Sequence, residues 1–210
     1  MGVYFNPSNT GFMFSLRSKI YVDKSGIISY TNSVLMTQQR YVCVSRPRRF
    51  GKTMAADMLA AYYSCGCDSD EMFTNLTICK DSSYKGHLNQ YNVVYLNIQQ
   101  FLSEYSDIKQ MIAGINKSLA EEILNIYPEL SKYTMKGKYA HTLQALFELT
   151  KIPIVFIIDE WDCIFREYLT DIESQKSYLD FLRNRQVKGF IAEYCSNFLI
   201  SILLQLTGDY

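Results

Sequence analysis

The sequence predicts an α/β fold built on a mostly parallel sheet, and three observations carry that prediction. Two runs, YVCVS at 41–45 and IVFIID at 154–159, are short, apolar and rich in β-branched residues. Their apolar residues are continuous, which is the pattern of a strand covered on both faces. Between them apolar residues recur with helical spacing, so strands alternate with helices. With 210 residues, 48% of them hydrophobic, the chain has the size and apolar content of one large domain.

Taken in order, residues 1–18 mix Asn, Ser, Pro and Gly like a loop. KIYVDKSGII follows at 19–28, where Asp23 or Ser25 is placed to cap a short helix. The strand at 41–45 runs into RPRRF, and GKTMAADMLAAYYS at 51–64 then has helical composition. A polar, irregular stretch spans 66–90, and NVVYLNI at 92–98 is a second buried strand. Apolar residues at 108, 111, 112, 115, 119 and 123 form one face of a long helix over 106–127, with Pro128 just past its end. A further helix over 139–150 leads through Pro153 into the strand at 154–159. FLISILLQL at 198–206 is too short to cross a bilayer as a helix and reads as another buried strand.

Composition narrows the function classes. Lys plus Arg number 21 and Asp plus Glu number 21, so no overall positive field holds nucleic acid without sequence preference. The six cysteines are scattered and no secretory signal pattern opens the chain, which favours free thiols and a cytoplasmic location. Cys65, Cys67, Cys79 and His87 could supply four zinc ligands, but CxC is not a usual zinc spacing and ordinary thiols are the favoured reading.

Two motifs carry chemistry. SRPRRFGKT at 45–53 sits between strand and helix, the context a phosphate loop requires. In such a loop backbone amides wrap the phosphates, the lysine reaches the β and γ phosphates, and the next hydroxyl binds Mg²⁺. Gly51, Lys52 and Thr53 supply that half of the pattern, while Arg46 stands where the first glycine belongs. The second motif is IVFIIDE at 154–160. Its strand end brings Asp159 toward the loop threonine, where it can hold a Mg²⁺ hydration shell, and leaves Glu160 able to polarise a water. A GKT string alone can be a surface lysine, and two acids can merely end a strand. Both motifs in this order, each at a strand's C-terminal end, favour a nucleotide site.

YVDKSGII, SRPRRFGKT and IVFIIDEWD resemble, in order and spacing, bacterial proteins called AAA-ATPase-like, whose members read YVDKT, RPRRFGKT and IDEYD. The resemblance covers most of residues 19–183 and makes Arg46 a family variant of the loop. It implies a three-layer P-loop NTPase fold with an extra strand between the loop strand and the acidic strand. It also implies ATP and Mg²⁺ as ligands. By that likeness Pro47, Arg48, Arg49, Phe50, Gly51, Lys52 and Thr53 bind the nucleotide, Thr53 and Asp159 hold Mg²⁺, and Glu160 and Lys52 are catalytic. Longer members carry a nuclease-like domain. The resemblance is silent on Tyr21, Asp23 and Lys24, for which a nucleotide-edge role, loop bracing and helix capping by Asp23 stand side by side. Arg48 and Arg49 can meet phosphates or an acid such as Asp162. Trp161, replacing the usual tyrosine, reads as packing.

The organisation expected is an N-terminal segment at 1–39 with the YVDK motif and a P-loop domain at 40–210. Likeness is expected to fade beyond about 183, as in a truncated member with incomplete C-terminal strands. The 198–206 strand would then lie between the loop and acidic strands, with Thr207 near the γ phosphate. The function expected is ATP hydrolysis. The alternative is a non-hydrolysing nucleotide switch, or an inactive remnant, acting through a protein partner or a second copy. Neither nucleic acid nor membrane is an expected partner, and no guanine-reading NKxD occurs.

Overall fold

The most apolar windows of the chain become strands of one sheet. A computed structural model describes residues 2–46, 50–132, 140–183 and 201–206, in two units. The first unit draws on Met1–Leu96, Ile152–Asp159 and Asn197–Tyr210, and the second on Asn97–Lys151 and Glu160–Ser196.

In the first unit the strands are β1 (Tyr41–Arg46), β2 (Asn92–Asn97), β3 (Ile154–Asp159) and β4 (Ser201–Leu206), in the spatial order β1-β4-β3-β2. β4 is parallel to both neighbours, with Tyr41 opposite Ser201 and Phe156 opposite Ser201 on its other side. Residues 201–206 of the run thus form a strand between the loop strand and the acidic strand, as expected. Every residue of β3 is buried, which accounts for its continuous apolar sequence.

Among the described residues the α-helices of this unit are α1 (Thr10–Leu16), α2 (Gly26–Val34), α3 (Lys52–Tyr63), α4 (Asp70–Phe73) and α5 (Tyr84–His87). α1 corrects the expectation of a loop over 1–18. So short a helix is marginal by itself, but Phe12 is buried and stacks on Phe73 with ring centroids 5.0 Å apart. Just before it, Phe5 bridges antiparallel to Val94, and Asn6 exchanges hydrogen bonds with Val93, so the N-terminal residues cover the outer edge of β2. The stretch 66–90, read as irregular, holds α4, α5 and a 3₁₀ turn at Thr77–Lys80.

The expected cap on α2 is met by Asp23 and not by Ser25. Ser25 occupies the N-cap position of α2 but makes no side-chain cap. Asp23 Oδ1 accepts from the Ser25 amide at the start of α2, while its Oδ2 accepts from the amide and hydroxyl of Thr77, and Ser25 Oγ accepts from the Ile78 amide. Both side chains satisfy the orphan amides of the 3₁₀ turn 54 residues away. α3 buries residues on all sides, among them Ala56, Leu59, Tyr62 and Tyr63. Asn89, in the left-handed region at φ 56°, closes its C-terminus by donating to the Ala61 and Ser64 carbonyls.

The second unit is helical: α6 (Ile98–Glu104), α7 (Ile108–Ile126), α8 (Ala140–Thr150), α9 (Cys163–Glu167) and α10 (Ile172–Arg183). Asn97 and Asp107 cap α6 and α7 by accepting from the amides of Gln100 and Gln110. The predicted face of α7 is the buried one, with Ile108, Met111, Ile115, Leu119 and Ile123 inside. Gly114 belongs to that face because a Cβ there would strike the ring and hydroxyl of Tyr105.

Candidate functional site

β1 leads toward Gly51, which stands at the N-cap of α3 at φ 71° and ψ 37°. Glycine adopts that left-handed turn without the Cβ penalty of other residues. Lys52 opens the helix with only 7% of its surface exposed, and Thr53 follows. First-turn amides and the macrodipole make such a helix start attractive to anions. Pro47, Arg48 and Arg49 lie outside the described residues, as does Thr207. Phe50 is 59% exposed.

Asp159, the last residue of β3, is completely buried. Thr53 Oγ1 donates to its Oδ2 over 2.8 Å, across 106 residues of chain. The two motifs predicted to cooperate therefore meet directly. A hydroxyl and a carboxylate are hard oxygen donors, and two of them suit Mg²⁺, which keeps most of its shell for waters and phosphate oxygens. No group of three His, Cys, Asp or Glu gathers as a metal site among the described residues. Cys67 Sγ donates to the Pro7 carbonyl, and Cys65 Sγ lies 3.4 Å from Asn92 Oδ1.

Sequence reasoning missed a second acid here. Asp57, one turn beyond Thr53 on the same side of α3, is hydrogen-bonded to the Tyr95 hydroxyl of β2. Burial, followed by the charge of Asp159, raises its pKa, and burial with the same two acids raises that of Tyr95. The pair keeps a proton donor against a crowded carboxylate. α1 closes over Asp57 so tightly that a Cβ on Gly11 would come within 2.8 Å of its Oδ2. The sequence signal was the i, i+4 spacing of Thr53 and Asp57, which becomes meaningful only once Thr53 has a partner.

The YVDK segment, left open by the sequence, braces this loop. Lys24 Nζ donates to the carbonyl of Phe50, and a Cβ on Gly51 would sit 2.7 Å from that ammonium. Tyr21 reaches Met58 of α3, its hydroxyl 3.9 Å from the sulfur, and packs edge-on against Phe12. Burial, then the Asp23 charge, pushes the Tyr21 phenol up to about 12. Burial works against ionised Asp23, but hydrogen bonds from Thr77 and Ser25 outweigh it and bring its carboxyl down to about 2.

Glu160, next in the chain, belongs to the second unit and has a left-handed backbone at φ 52°. Its Oε2 accepts from Arg166 Nη2 over 2.7 Å, and Arg166 Nε lies 3.5 Å from Asp162 Oδ2. Asp162 thus pairs with Arg166. Trp161 packs edge-to-face on Phe165, in line with a packing role.

A family model described as "Predicted AAA-ATPase", the AAA-ATPase-like family, matches residues 13–204. The chain belongs to that family. A comparison with curated proteins gives no match. The AAA-ATPase-like match contains all three motifs, and it continues past residue 183, where likeness was expected to fade, into β4. Membership makes this an ATPase-like, nucleotide-binding domain. No helix among the described residues is long and apolar enough to cross a membrane.

Proposed function

We propose that this domain binds ATP with Mg²⁺ at the start of α3 and hydrolyses it. The observation that carries this reading is the 2.8 Å hydrogen bond between Thr53 and Asp159, which joins the two motifs. The α3 amides after Gly51 and the ammonium of Lys52 bind the phosphates. Thr53 and Asp159 hold Mg²⁺, which when bound offsets charge on the phosphate oxygens. Glu160 accepts a proton from water as the water oxygen bonds to the γ phosphorus and ADP departs. Phosphate release by the full chain tests this, beside Lys52→Ala and Glu160→Gln. Turnover in the parent, lost binding in the first variant and binding without turnover in the second are the expected results; turnover that survives Glu160→Gln rejects the assignment.

One observation favours a second reading. The carboxylate of Glu160 is engaged by Arg166 at 2.7 Å, which suits a nucleotide-dependent switch whose base is withheld until a partner protein or second copy docks. Binding without turnover in the parent chain, converted to turnover by Arg166→Ala, would select it.

A further inference from the structure

The second unit carries a group of buried polar atoms that the proposed chemistry does not use. Trp161 Nε1, Asp162 Oδ1, Arg166 Nε and the Tyr178 hydroxyl are all buried, and none of them makes a hydrogen bond to another protein group. Folded proteins pair nearly all such atoms, so a cluster left unmet asks for a reason. The four side chains lie where α9 meets α10, with the Phe165 ring 5.9 Å from that of Trp161 and 6.1 Å from that of Tyr178. Burial, then the charges of Cys163 and Asp162, raises the Tyr178 phenol well above its ordinary value, so Asp162 is within electrostatic reach of that hydroxyl.

Arg166 stands between two acids and serves one of them well. Its Nη2 donates to Glu160 Oε2 over 2.7 Å, while its Nε stays 3.5 Å from Asp162 Oδ2, an ion pair without a hydrogen bond. Asp162 is the more buried acid, its side chain 7% exposed against 23% for Glu160. It also holds the N-cap position of α9 without accepting from the helix amides. An aspartate there ordinarily caps. This carboxylate is left for another partner, and a buried carboxylate oxygen without one is costly. A small turn of the guanidinium that brings Nε and one Nη onto the two Asp162 oxygens makes the two-bonded fork arginine favours, and it gives up the bond to Glu160.

We propose that Arg166 exchanges between Glu160 and Asp162, and that Asp162 is the positioning residue that draws it off when Mg·ATP is bound, leaving Glu160 to the water. This rests on the reading of Glu160 as the base and adds the place, within the chain itself, where the restraining cation goes, so that no partner is needed. The exchange keeps every charge paired. Water donates to Glu160 in place of Arg166, and Asp162 receives the guanidinium, with the Tyr178 hydroxyl as a further donor to Oδ1. Nucleotide shifts the balance because only a freed Glu160 can accept from the attacking water, which is the differential interaction such a shift requires. Without Asp162 the guanidinium has no second acid and stays where it is. Trp161, the single tryptophan of the chain, lies between the two acids in sequence, so its emission reports the exchange.

The test is phosphate release by the full chain under Mg·ATP, with Trp161 emission followed on the same samples. Asp162→Asn keeps the shape of the side chain but not the charge that holds the fork, so kcat should fall about tenfold or more while ATP affinity stays near that of the parent. Arg166→Ala should raise kcat, and the Asp162→Asn/Arg166→Ala double variant should match Arg166→Ala, because the cation that Asp162 has to draw off is gone. A merely structural Asp162 predicts the opposite, a double variant as slow as Asp162→Asn. Mg·ATP should shift the Trp161 emission of the parent and leave that of either single variant in place. If Asp162→Asn does not fold, Tyr178→Phe, which removes one hydroxyl, takes its place with a smaller fall in kcat and the same rescue. A parent-like kcat in Asp162→Asn, a double variant that stays slow, or an emission shift that is absent from the parent or equal in all three chains overturns the exchange, and the base reading stands as long as Glu160→Gln abolishes turnover. Turnover of Arg166→Ala that survives Glu160→Gln, or no binding of ATP by the parent, removes the base reading and the exchange with it.

Discussion

The two ends of α3 differ in how completely the protein satisfies its own groups. At the C-terminal end Tyr62 and Tyr63 are fully buried, their rings 4.9 Å apart and edge-on, and both hydroxyls are engaged. Tyr62 donates to the Tyr84 carbonyl and accepts from Asn32, while Tyr63 meets Thr31 and donates to Asn32. At the N-terminal end a lysine is buried, a glycine is left-handed, and apolar side chains stand in solvent around a cavity. One end is finished as structure, and the other carries the proposed nucleotide site. The difference teaches that stability and function are separable along a single helix of twelve residues.

The sharpest break of this comparison is Tyr62→Ala. Removing a fully buried aromatic side chain should cost about 3–5 kcal/mol in urea unfolding, while ATP affinity of the molecules that remain folded stays within twofold of the parent. A cost below about 1 kcal/mol would mean that the firm end is not firm. Lys52→Ala reverses the pattern: Mg·ATP affinity should fall about 100-fold, close to 2.7 kcal/mol, with an unfolding midpoint that moves far less than in Tyr62→Ala. A large loss of stability with unchanged affinity would instead make Lys52 a structural residue.

Tyr63→Phe leaves the ring and removes only the hydroxyl. Thr31 and Asn32 are then left with unmet hydrogen bonds in a buried place, at a cost of about 1–2 kcal/mol. The matching removal at the other end, Tyr21→Phe, should leave the unfolding midpoint unchanged, since that hydroxyl rests on the weak acceptor Met58 Sδ at 3.9 Å. A pH-dependent effect concerns Asp23, which ties the YVDK segment to the 3₁₀ turn. Its carboxyl drops from 3.8 to about 2 on folding, so its contribution is present above the unfolded value and is lost as pH falls through the folded one. Asp23→Asn should therefore lower the midpoint at pH 5, with the gap closing between pH 4 and about 2. A gap that persists at pH 2 would assign the effect to lost packing and not to charge.

Much of the molecule was legible because it follows local rules. β3 could be read from continuous apolar residues because both its faces are covered, and α7 from its period because one face is. Gly51 was legible because the left-handed turn before a helix selects glycine within a single residue. α1 was not, since nothing in TGFMFSL announces a helix apart from the site where Phe12 becomes buried. Asp57 and Tyr95 were equally hidden: an acid on a helix and a tyrosine in a strand acquire meaning only from facing each other. Asp23 was read as a cap for the helix beside it, and its Oδ1 does accept from the Ser25 amide there, but its Oδ2 reaches Thr77, 54 residues away.

By itself, the sequence determined the strands, the loop-to-helix turn, the long amphipathic helix and the pair of motifs that joins this chain to its family. These are written in periodicity, β-branching and single special residues, all of them properties of a few neighbouring positions. Tertiary structure alone decided which of those pieces touch. The order β1-β4-β3-β2 sets β4 between its neighbours, and packing brings Asp159 to Thr53 and Lys24 to the Phe50 carbonyl. Such pairings depend on how distant apolar faces exclude water together, a sum over the whole core that no short window of sequence contains.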